Sequence, residues 1–170
     1  MYEVSKPMGV IINDLFSEKR FIFGLVIKLI LLICVYPVIQ ENWFIPFIIS
    51  FFDNPSVIPW DTFLESGGDS LAFPYGPSML LIYLPATYLG FLLDTAFDSF
   101  YFTGLGFRIT LLLADICLLL FLLRQFSQYW KQIITYYWLS PLIFYVTYWH
   151  GQIDLVPIFM LFFAVGLLKK

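Results

Sequence analysis

Charged residues, histidine and cysteine are all scarce in this sequence of 170 residues. Asp, Glu, Lys and Arg together make up 12% of the chain, which contains one histidine and two cysteines. So few charges leave too little polar surface to cover a water-soluble globule. The composition therefore excludes a soluble enzyme, a nucleic-acid-binding protein and a disordered tail.

Both cysteines lie inside apolar runs, where each behaves as a small hydrophobic residue. Cys34 and Cys117 form neither a disulfide framework nor a zinc-binding pattern. The N-terminus has no apolar segment followed by a small-residue cleavage site, so we expect the first apolar run to remain as a membrane anchor.

Apolar and aromatic residues are abundant. Hydrophobic residues make up 61% of the chain and aromatic residues 21%, and the mean hydropathy is +0.86. A spanning helix needs roughly 20 predominantly apolar residues. We predict four such helices, at 21–39, 104–123, 132–149 and 153–168. A fifth run, 78–93, is shorter and carries Pro85, so we expect it to lie at the membrane surface.

The placement of basic residues favours four crossings over five. With four crossings, the cytoplasmic side receives Lys19, Arg20, Arg124, Lys131, Lys169 and Lys170. The external side then receives Glu41, Asp53, Asp61, Glu65, Asp69, Asp94, Asp98 and Asp154, with Arg108 as its one cation. Because Lys and Arg accumulate in cytoplasmic loops, this arrangement is the preferred topology.

The predicted fold is an all-α polytopic membrane protein forming a single transmembrane domain over residues 1–170. It has a cytoplasmic N-terminus at 1–20 and a large external loop at 40–103. Interfacial helices at 43–52 and 78–93 flank a turn-rich segment of that loop. Two charges, Lys28 and Asp115, lie at similar depths inside apolar runs, so we expect them to pair. The alternative is that Lys28 extends towards the cytoplasm while Asp115 is protonated or hydrogen-bonded to a neighbouring hydroxyl.

Two external acids return to the same membrane boundary. Glu41 follows the first predicted crossing, and Asp154 precedes the last. A carboxylate pair can act as a general base towards a hydroxyl or bind a divalent cation. The alternative is that each is a solvated acid at a helix end, with Asp154 serving as a helix cap.

The segment YWHGQID concentrates polar groups between two apolar runs. It holds His150, Gln152 and Asp154 within a few residues. Polar residues at this depth are costly and indicate a functional site. A hydrogen-bonded structural histidine beside an interfacial aromatic belt is the alternative.

The order of these features resembles the N-terminal part of the glycosyltransferase-C superfamily, whose members are membrane enzymes that use lipid-phosphate-linked sugars. An acid follows the first helix, and juxtamembrane helices flank a long external loop. FPYGPSML resembles the family's proline-rich tyrosine motif. GFRITLLLADICLLLFLLRQF and WLSPLIFYVTYWHGQIDLVPIFM resemble the helix that follows and the segment leading to the second acid.

The resemblance implies inverting transfer of a sugar from a polyprenyl-phosphate donor to an acceptor hydroxyl on a glycan, lipid or protein. The implied catalytic residues are Glu41, Asp154 and His150, and the implied substrate-binding residues are Gln152, Asp61, Trp60, Tyr75 and Arg108. A helix-end role is the alternative for Arg108. No organic cofactor is implied, and a divalent cation is a candidate. We expect a multi-pass protein of a bacterial plasma membrane rather than the endoplasmic reticulum, with lipid and no nucleic acid among its partners.

Two departures from the superfamily's pattern bear on these expectations. The first acidic position has Glu41 where the superfamily has Asp, so Asp53 and Asp61 remain alternatives. The chain also has fewer helices than members of the superfamily. We therefore expect it to be the N-terminal part of a longer fold or one half of an enzyme that a second chain completes. A non-enzymatic polytopic protein, such as a transporter segment or an assembly subunit, is the competing hypothesis.

Overall fold

The computed structural model describes residues 8–168, and every regular element within that range is a helix. The α-helices are α1 (Met8–Ser17), α2 (Lys19–Cys34), α3 (Ile45–Asp53), α4 (Pro59–Glu65), α5 (Pro77–Phe97), α6 (Phe102–Gln125), α7 (Trp130–Ile133), α8 (Pro141–Ile143) and α9 (Leu155–Leu168). Three π-helical turns cover Gln40–Phe44, Ile134–Trp138 and Phe144–Trp149, and a 3₁₀ turn covers Ser127–Tyr129. The all-helical prediction is confirmed for these residues. The predicted cytoplasmic Lys169 and Lys170 lie outside them.

Two described helices, α5 and α6, are long and apolar enough to cross a membrane. α1 and α9 are shorter apolar helices. The segment predicted to lie at the interface, 78–93, forms the larger part of α5, which has 21 residues and contains Pro85 internally. The predictions of an interfacial position for this segment and of four crossings are not tested by these lengths.

The first predicted crossing, 21–39, ends earlier than expected. α2 stops at Cys34, and Val35 at its C-terminus is extended. Pro37 explains this end. Proline disfavours the helical conformation of the preceding residue, here Tyr36, and helices usually end at or before that residue. The amides of Gln40 and Glu41 then bond to the Pro37 carbonyl, which begins the helical segment leading into α3.

The predicted crossing at 132–149 is not a continuous α-helix. Two π-helical turns replace most of it, and the helical conformation is interrupted at Leu139 and Ser140. Ser140 is extended with ψ 122° because Pro141 follows it. The sequence-based boundaries missed this break, although Pro141 was its visible signal.

The region predicted as a cytoplasmic tail contains α1. Its Ile11 and Leu15, one turn apart, are buried against Leu119, Leu123 and Trp138. This i, i+4 spacing is typical of a helix with one apolar face. A helix therefore packs on the bundle in a region for which no helix was predicted from the sequence.

α5 and α6 form a tightly packed antiparallel hairpin. A Cβ atom at Gly90 would lie 2.0 Å from the Phe102 carbonyl oxygen, and one at Gly106 would lie 2.1 Å from the Ala86 carbonyl oxygen. Asp94 closes the turn by accepting hydrogen bonds from the Phe102 and Thr103 amides at 2.8 and 2.7 Å. These bonds satisfy amides at the start of α6 that have no partner within the helix.

Four segments of the bundle alternate in direction along the chain, while α5, being antiparallel to α6, runs in the same direction as α2. α2 runs antiparallel to α6, since Phe21 shares a core cluster with Leu123 and Leu32 shares one with Leu112. The 130–149 segment runs parallel to α2, because Trp138 contacts Phe21 while Tyr148 packs near Leu32. α9 runs parallel to α6. Its Phe163 contacts Phe121, while Phe159 and Met160 line a cavity with Ala114 and Cys117.

Large apolar side chains also cover the outside of the bundle. On α2 the exposed ones are Ile22, Phe23, Val26, Leu29, Ile30 and Ile33. On α9 they are Ile158, Met160, Leu161, Phe162, Phe163, Val165, Leu167 and Leu168. Apolar surface of this extent marks a contact with lipid or with another protein. Together with the two long apolar helices, it supports association with a membrane.

Candidate functional site

Glu41 lies in the π-helical turn Gln40–Phe44, between the end of α2 and the start of α3. π-helical turns are rare and occur frequently at functional sites, where they change the direction in which side chains point. Here the turn follows directly from the helix start at Pro37. The local sequence thus places a carboxylate where the chain turns from α2 towards the α5–α6 hairpin.

Arg108 on α6 is the partner of Glu41. Its Nη1 donates to the Glu41 Oε1 at 3.0 Å, and their side chains are 5% and 35% exposed, respectively. Gly104, one turn before Arg108, makes room for this pair: a Cβ there would be 3.3 Å from Oε1 and 3.5 Å from Nη1. The Tyr36 ring lies 5.0 Å from the guanidinium carbon, so the cation is also held against an aromatic face.

The Arg108 guanidinium retains unused donors. Its Nε and Nη2 atoms are buried and have no hydrogen-bond partner among residues 8–168. Leaving a buried donor without a partner costs about 1–3 kcal/mol, and more when the group is charged. Two guanidinium nitrogens of Arg108 are therefore donors without an acceptor among residues 8–168.

Asp154, the second predicted acid, is bound by Tyr75. The Tyr75 hydroxyl donates to the Asp154 Oδ1 at 3.0 Å. Burial, this hydrogen bond and the negative charge of Asp154 all raise the pKa of Tyr75, so its hydroxyl stays protonated and acts as a donor. The structure thus brings together two residues that were chosen separately from the sequence.

Phe44 connects the surroundings of the two acids. Its ring lies 5.9 Å from the Tyr75 ring and 6.1 Å from the Phe107 ring, measured between centroids. Phe107 immediately precedes Arg108 in α6. The Glu41–Arg108 and Tyr75–Asp154 pairs therefore lie on opposite sides of one aromatic cluster, without a direct bond between the two pairs among the described contacts.

A hydrogen bond from a side chain to the backbone, which we call the latch, joins the segment that begins at Gln40 to the segment around Gly151. The Gln40 Nε2 donates to the Gly151 carbonyl at 3.0 Å, and both residues are buried. Gly151 has φ +88°, and a Cβ there would lie 2.4 Å from the Pro37 Cβ. Glycine is needed here for both reasons. The latch fixes the segment containing His150 and Asp154 against the segment containing Glu41.

His150 and Gln152 flank this latch without contacting the acids in the described contacts. His150 is exposed, and its ring lies 6.1 Å from the ring of Tyr145. Gln152 is half-buried, and its backbone N–H donates to the Val146 carbonyl. The predicted roles of both residues remain predictions.

Trp60 and Asp61 lie on α4, in the segment predicted as the external loop. The Trp60 indole donates to the Phe73 carbonyl at 2.9 Å, and its ring packs on Phe47. Asp61 is exposed in the first turn of the helix. The Trp60 indole N–H thus serves the loop's own structure, whereas the Asp61 carboxylate faces solvent.

A cavity of about 460 Å³ adjoins Glu41. Its walls are formed by the start of α3 and by the turn of the α5–α6 hairpin. They include Glu41, Ile45, Ile49, Phe91, Asp94 and Asp98. Asp154 and Tyr75 do not line this cavity. The expectation that both acids face one cavity therefore remains a prediction.

Metal binding has limited support from the side chains. Within residues 8–168, no group of three or more His, Cys, Asp or Glu side chains is arranged to hold a metal ion. A divalent cation at Glu41 would need further oxygen ligands from a substrate or from water.

The sequence-based argument missed four residues that build the site. Tyr36 covers Arg108, Gln40 and Gly151 form the latch, and Asp94 fixes the hairpin turn. Gly151 had a visible signal, because a glycine between polar residues at a helix end favours a left-handed turn. Tyr36 and Gln40 depend on contacts with segments distant in the chain, whereas Asp94 bonds to residues of the adjoining turn.

No protein-family model, curated protein or solved structure matches this chain. The site is therefore interpreted from its own geometry.

Proposed function

We propose that this chain is the N-terminal part of a multi-pass membrane glycosyltransferase of the glycosyltransferase-C type. It transfers a sugar from a polyprenyl-phosphate donor to an acceptor hydroxyl on the external side of a bacterial plasma membrane. The observation that carries the proposal is the buried Arg108, which has one guanidinium nitrogen on Glu41 and two nitrogens without partners among residues 8–168.

The alternating helix directions support the membrane arrangement. α2, α6, the 130–149 segment and α9 run in alternating directions, as four successive crossings require. Lys19, Arg124 and Lys131 then share one end of the bundle, while Glu41 and Asp154 lie towards the other. Because Lys and Arg accumulate in cytoplasmic loops, this charge distribution supports a cytoplasmic position for the end with Lys19, Arg124 and Lys131.

Arg108 is the residue we assign to the donor phosphate. Its Nε and Nη2 form one edge of the planar guanidinium, and such an edge matches two oxygens of a phosphate. Glu41 occupies Nη1 and keeps the guanidinium in place. The cost of the unpaired donors is removed when phosphate oxygens bind there.

Glu41 is our first candidate for the base, with Asp154 as the alternative. The carboxylate takes the proton of the acceptor hydroxyl, whose oxygen forms a bond to the anomeric carbon. The bond from that carbon to the phosphate oxygen breaks, and its electron pair leaves with polyprenyl phosphate. Arg108 stabilises the negative charge on this leaving group, and positioning of the two substrates lowers the barrier further.

A binding experiment tests the phosphate assignment. The full chain in liposomes is labelled with a photoreactive polyprenyl phosphate, and Arg108→Gln is compared with Arg108→Lys. We expect Arg108→Gln to label about 10- to 100-fold less, because charge-assisted hydrogen bonds are lost. Arg108→Lys should give an intermediate result, since it keeps the charge without the planar edge.

Arg20→Gln is the matched control, because it removes an arginine at the opposite end of the bundle that Glu18 already engages. Its labelling should equal that of the wild type. The double variant Glu41→Gln with Arg108→Gln separates lost binding from the effect of leaving Glu41 unpaired. Equal labelling of the wild type and Arg108→Gln contradicts the assignment. Binding of the donor without transfer to any acceptor favours the non-enzymatic alternative.

A further inference from the structure

Three exposed basic residues lie at the end of the bundle opposite to Glu41. Lys19 begins α2, Arg124 is in the last turn of α6, and Lys131 lies in α7. These positions lie at the same end of the bundle, because Phe21 and Leu123 belong to one core cluster and Trp130 packs against it. All three side chains are exposed. We refer to Lys19, Arg124 and Lys131 as the basic end.

The acid near the basic end is hydrogen-bonded to a different cation, and it interacts with Lys131 only through space. Glu18 is engaged by Arg20, whose Nε and Nη2 donate to its two carboxylate oxygens at 2.9 and 3.0 Å. Arg20 also donates to the Thr135 hydroxyl at 3.2 Å. No ion pair joins the basic end to a carboxylate among residues 8–168. Its three cations therefore have free capacity for anions.

Exposed aromatic side chains lie within a few residues of these cations in the chain. Phe16 is 60% exposed, Phe126 41% and Tyr129 52%. The Phe16 ring stands edge-on to Phe21 at 5.5 Å, so it is fixed at the bundle surface. Aromatic residues beside Lys and Arg at the ends of apolar helices are typical of the layer where lipid headgroups meet acyl chains.

We infer that the basic end binds the phosphate headgroup of an anionic phospholipid. The cations supply charge complementarity, and the adjacent apolar side chains accommodate the glycerol and the first part of the acyl chains. A free phosphate ion would use the cations alone. Each cation near an anionic surface strengthens binding about fivefold, so three contribute on the order of 100-fold at low ionic strength. The inference does not depend on the proposed sugar transfer.

A thermal-unfolding experiment on the full chain in detergent tests this inference. We compare added phosphatidylglycerol with added phosphatidylcholine. Phosphatidylglycerol should raise the Tm of the wild type by about 2–4 °C, because a ligand that binds the folded state stabilises it. Phosphatidylcholine should not, and salt should reduce the shift. The shift should disappear in the Lys19→Gln, Arg124→Gln, Lys131→Gln triple variant.

The double variant Lys19→Arg with Lys131→Arg is the matched control, since it keeps the charges and should keep the shift. Equal shifts in the wild type and the triple glutamine variant overturn the inference. So does an equal shift with soluble glycerol phosphate, which would show an anion site rather than a lipid site. If the triple variant does not fold, native mass spectrometry of Arg124→Gln alone decides. About fivefold weaker phosphatidylglycerol binding supports the inference, and unchanged binding contradicts it.

Discussion

Lys28 and Asp115 are 87 residues apart in the chain, and their side chains form an ion pair with 0% exposure on both sides. The Lys28 Nζ lies 2.5 Å from the Asp115 Oδ2 and 3.5 Å from the centre of the Trp138 ring. Tyr137 and Tyr148 donate their hydroxyls to the same carboxylate at 2.7 and 2.6 Å. The pair thus connects α2, α6 and the two π-helical turns of the 130–149 segment.

Removing one member of this pair should destabilise the bundle strongly. Asp115→Asn leaves Lys28 as an uncompensated buried charge, at a cost of about 3–5 kcal/mol. Adding Lys28→Met removes that charge and should restore much of the loss. The free energy of unfolding, measured by titration with SDS, provides the comparison. Additive losses in the two single variants and the double variant would contradict a coupled pair.

The proposed topology predicts that the end of the bundle with Glu41 and the basic end lie on opposite sides of the membrane. A cysteine at the exposed Ser70 should react with an impermeant thiol reagent added outside cells, whereas one at Ser127 should not. The background should carry Cys34→Ala and Cys117→Ala, because both native cysteines are exposed. Labelling at Ser127 and protection at Ser70 would reverse the predicted orientation.

Alanine at Gly90 or Gly106 should open the α5–α6 hairpin. A new Cβ would lie 2.0 Å from a backbone carbonyl oxygen at Gly90 and 2.1 Å from one at Gly106, well inside van der Waals contact. The backbone cannot move aside as a flexible side chain does. We expect each variant to lose about 1–3 kcal/mol of stability. Gly9→Ala is the control, because nothing lies within 4 Å of its Cβ position. It should be neutral or slightly stabilising, as alanine favours helices. A Gly106→Ala protein as stable as this control would contradict the close packing.

Glu18 should contribute a small pH-dependent stabilisation. Hydrogen bonding from Arg20 lowers the pKa of Glu18 below 4.5, assisted by the nearby charge of Lys131. Because the folded-state pKa is the lower one, the stabilisation is present above about pH 4.5 and is lost as pH falls through the folded-state value. Glu18→Gln should therefore reduce the Tm slightly at pH 7 and not at acidic pH. A difference in Tm that persists unchanged into strongly acidic solution would point to lost packing instead.

The sequence alone determined the helical class and the pairing inside the bundle. Long apolar runs require helices, because a helix satisfies its own backbone hydrogen bonds without water. The pairing of Lys28 with Asp115 followed from their depths, since an isolated charge in an apolar run needs a partner. The structure confirms that pair.

The tertiary structure decided what the local pattern leaves open. The ends at Cys34 and Trp138 precede Pro37 and Pro141 and were readable from the sequence. In contrast, the two π-helical turns of the 130–149 segment bring Tyr137 and Tyr148 onto the distant Asp115 carboxylate. The pairing of Glu41 with Arg108, and of Tyr75 with Asp154, joins residues 67 and 79 positions apart. Hydropathy gives the depth of a residue and not its rotation about the helix axis. Rotation is set when ridges and small residues such as Gly104 and Gly106 pack together, and it determines which polar side chains meet.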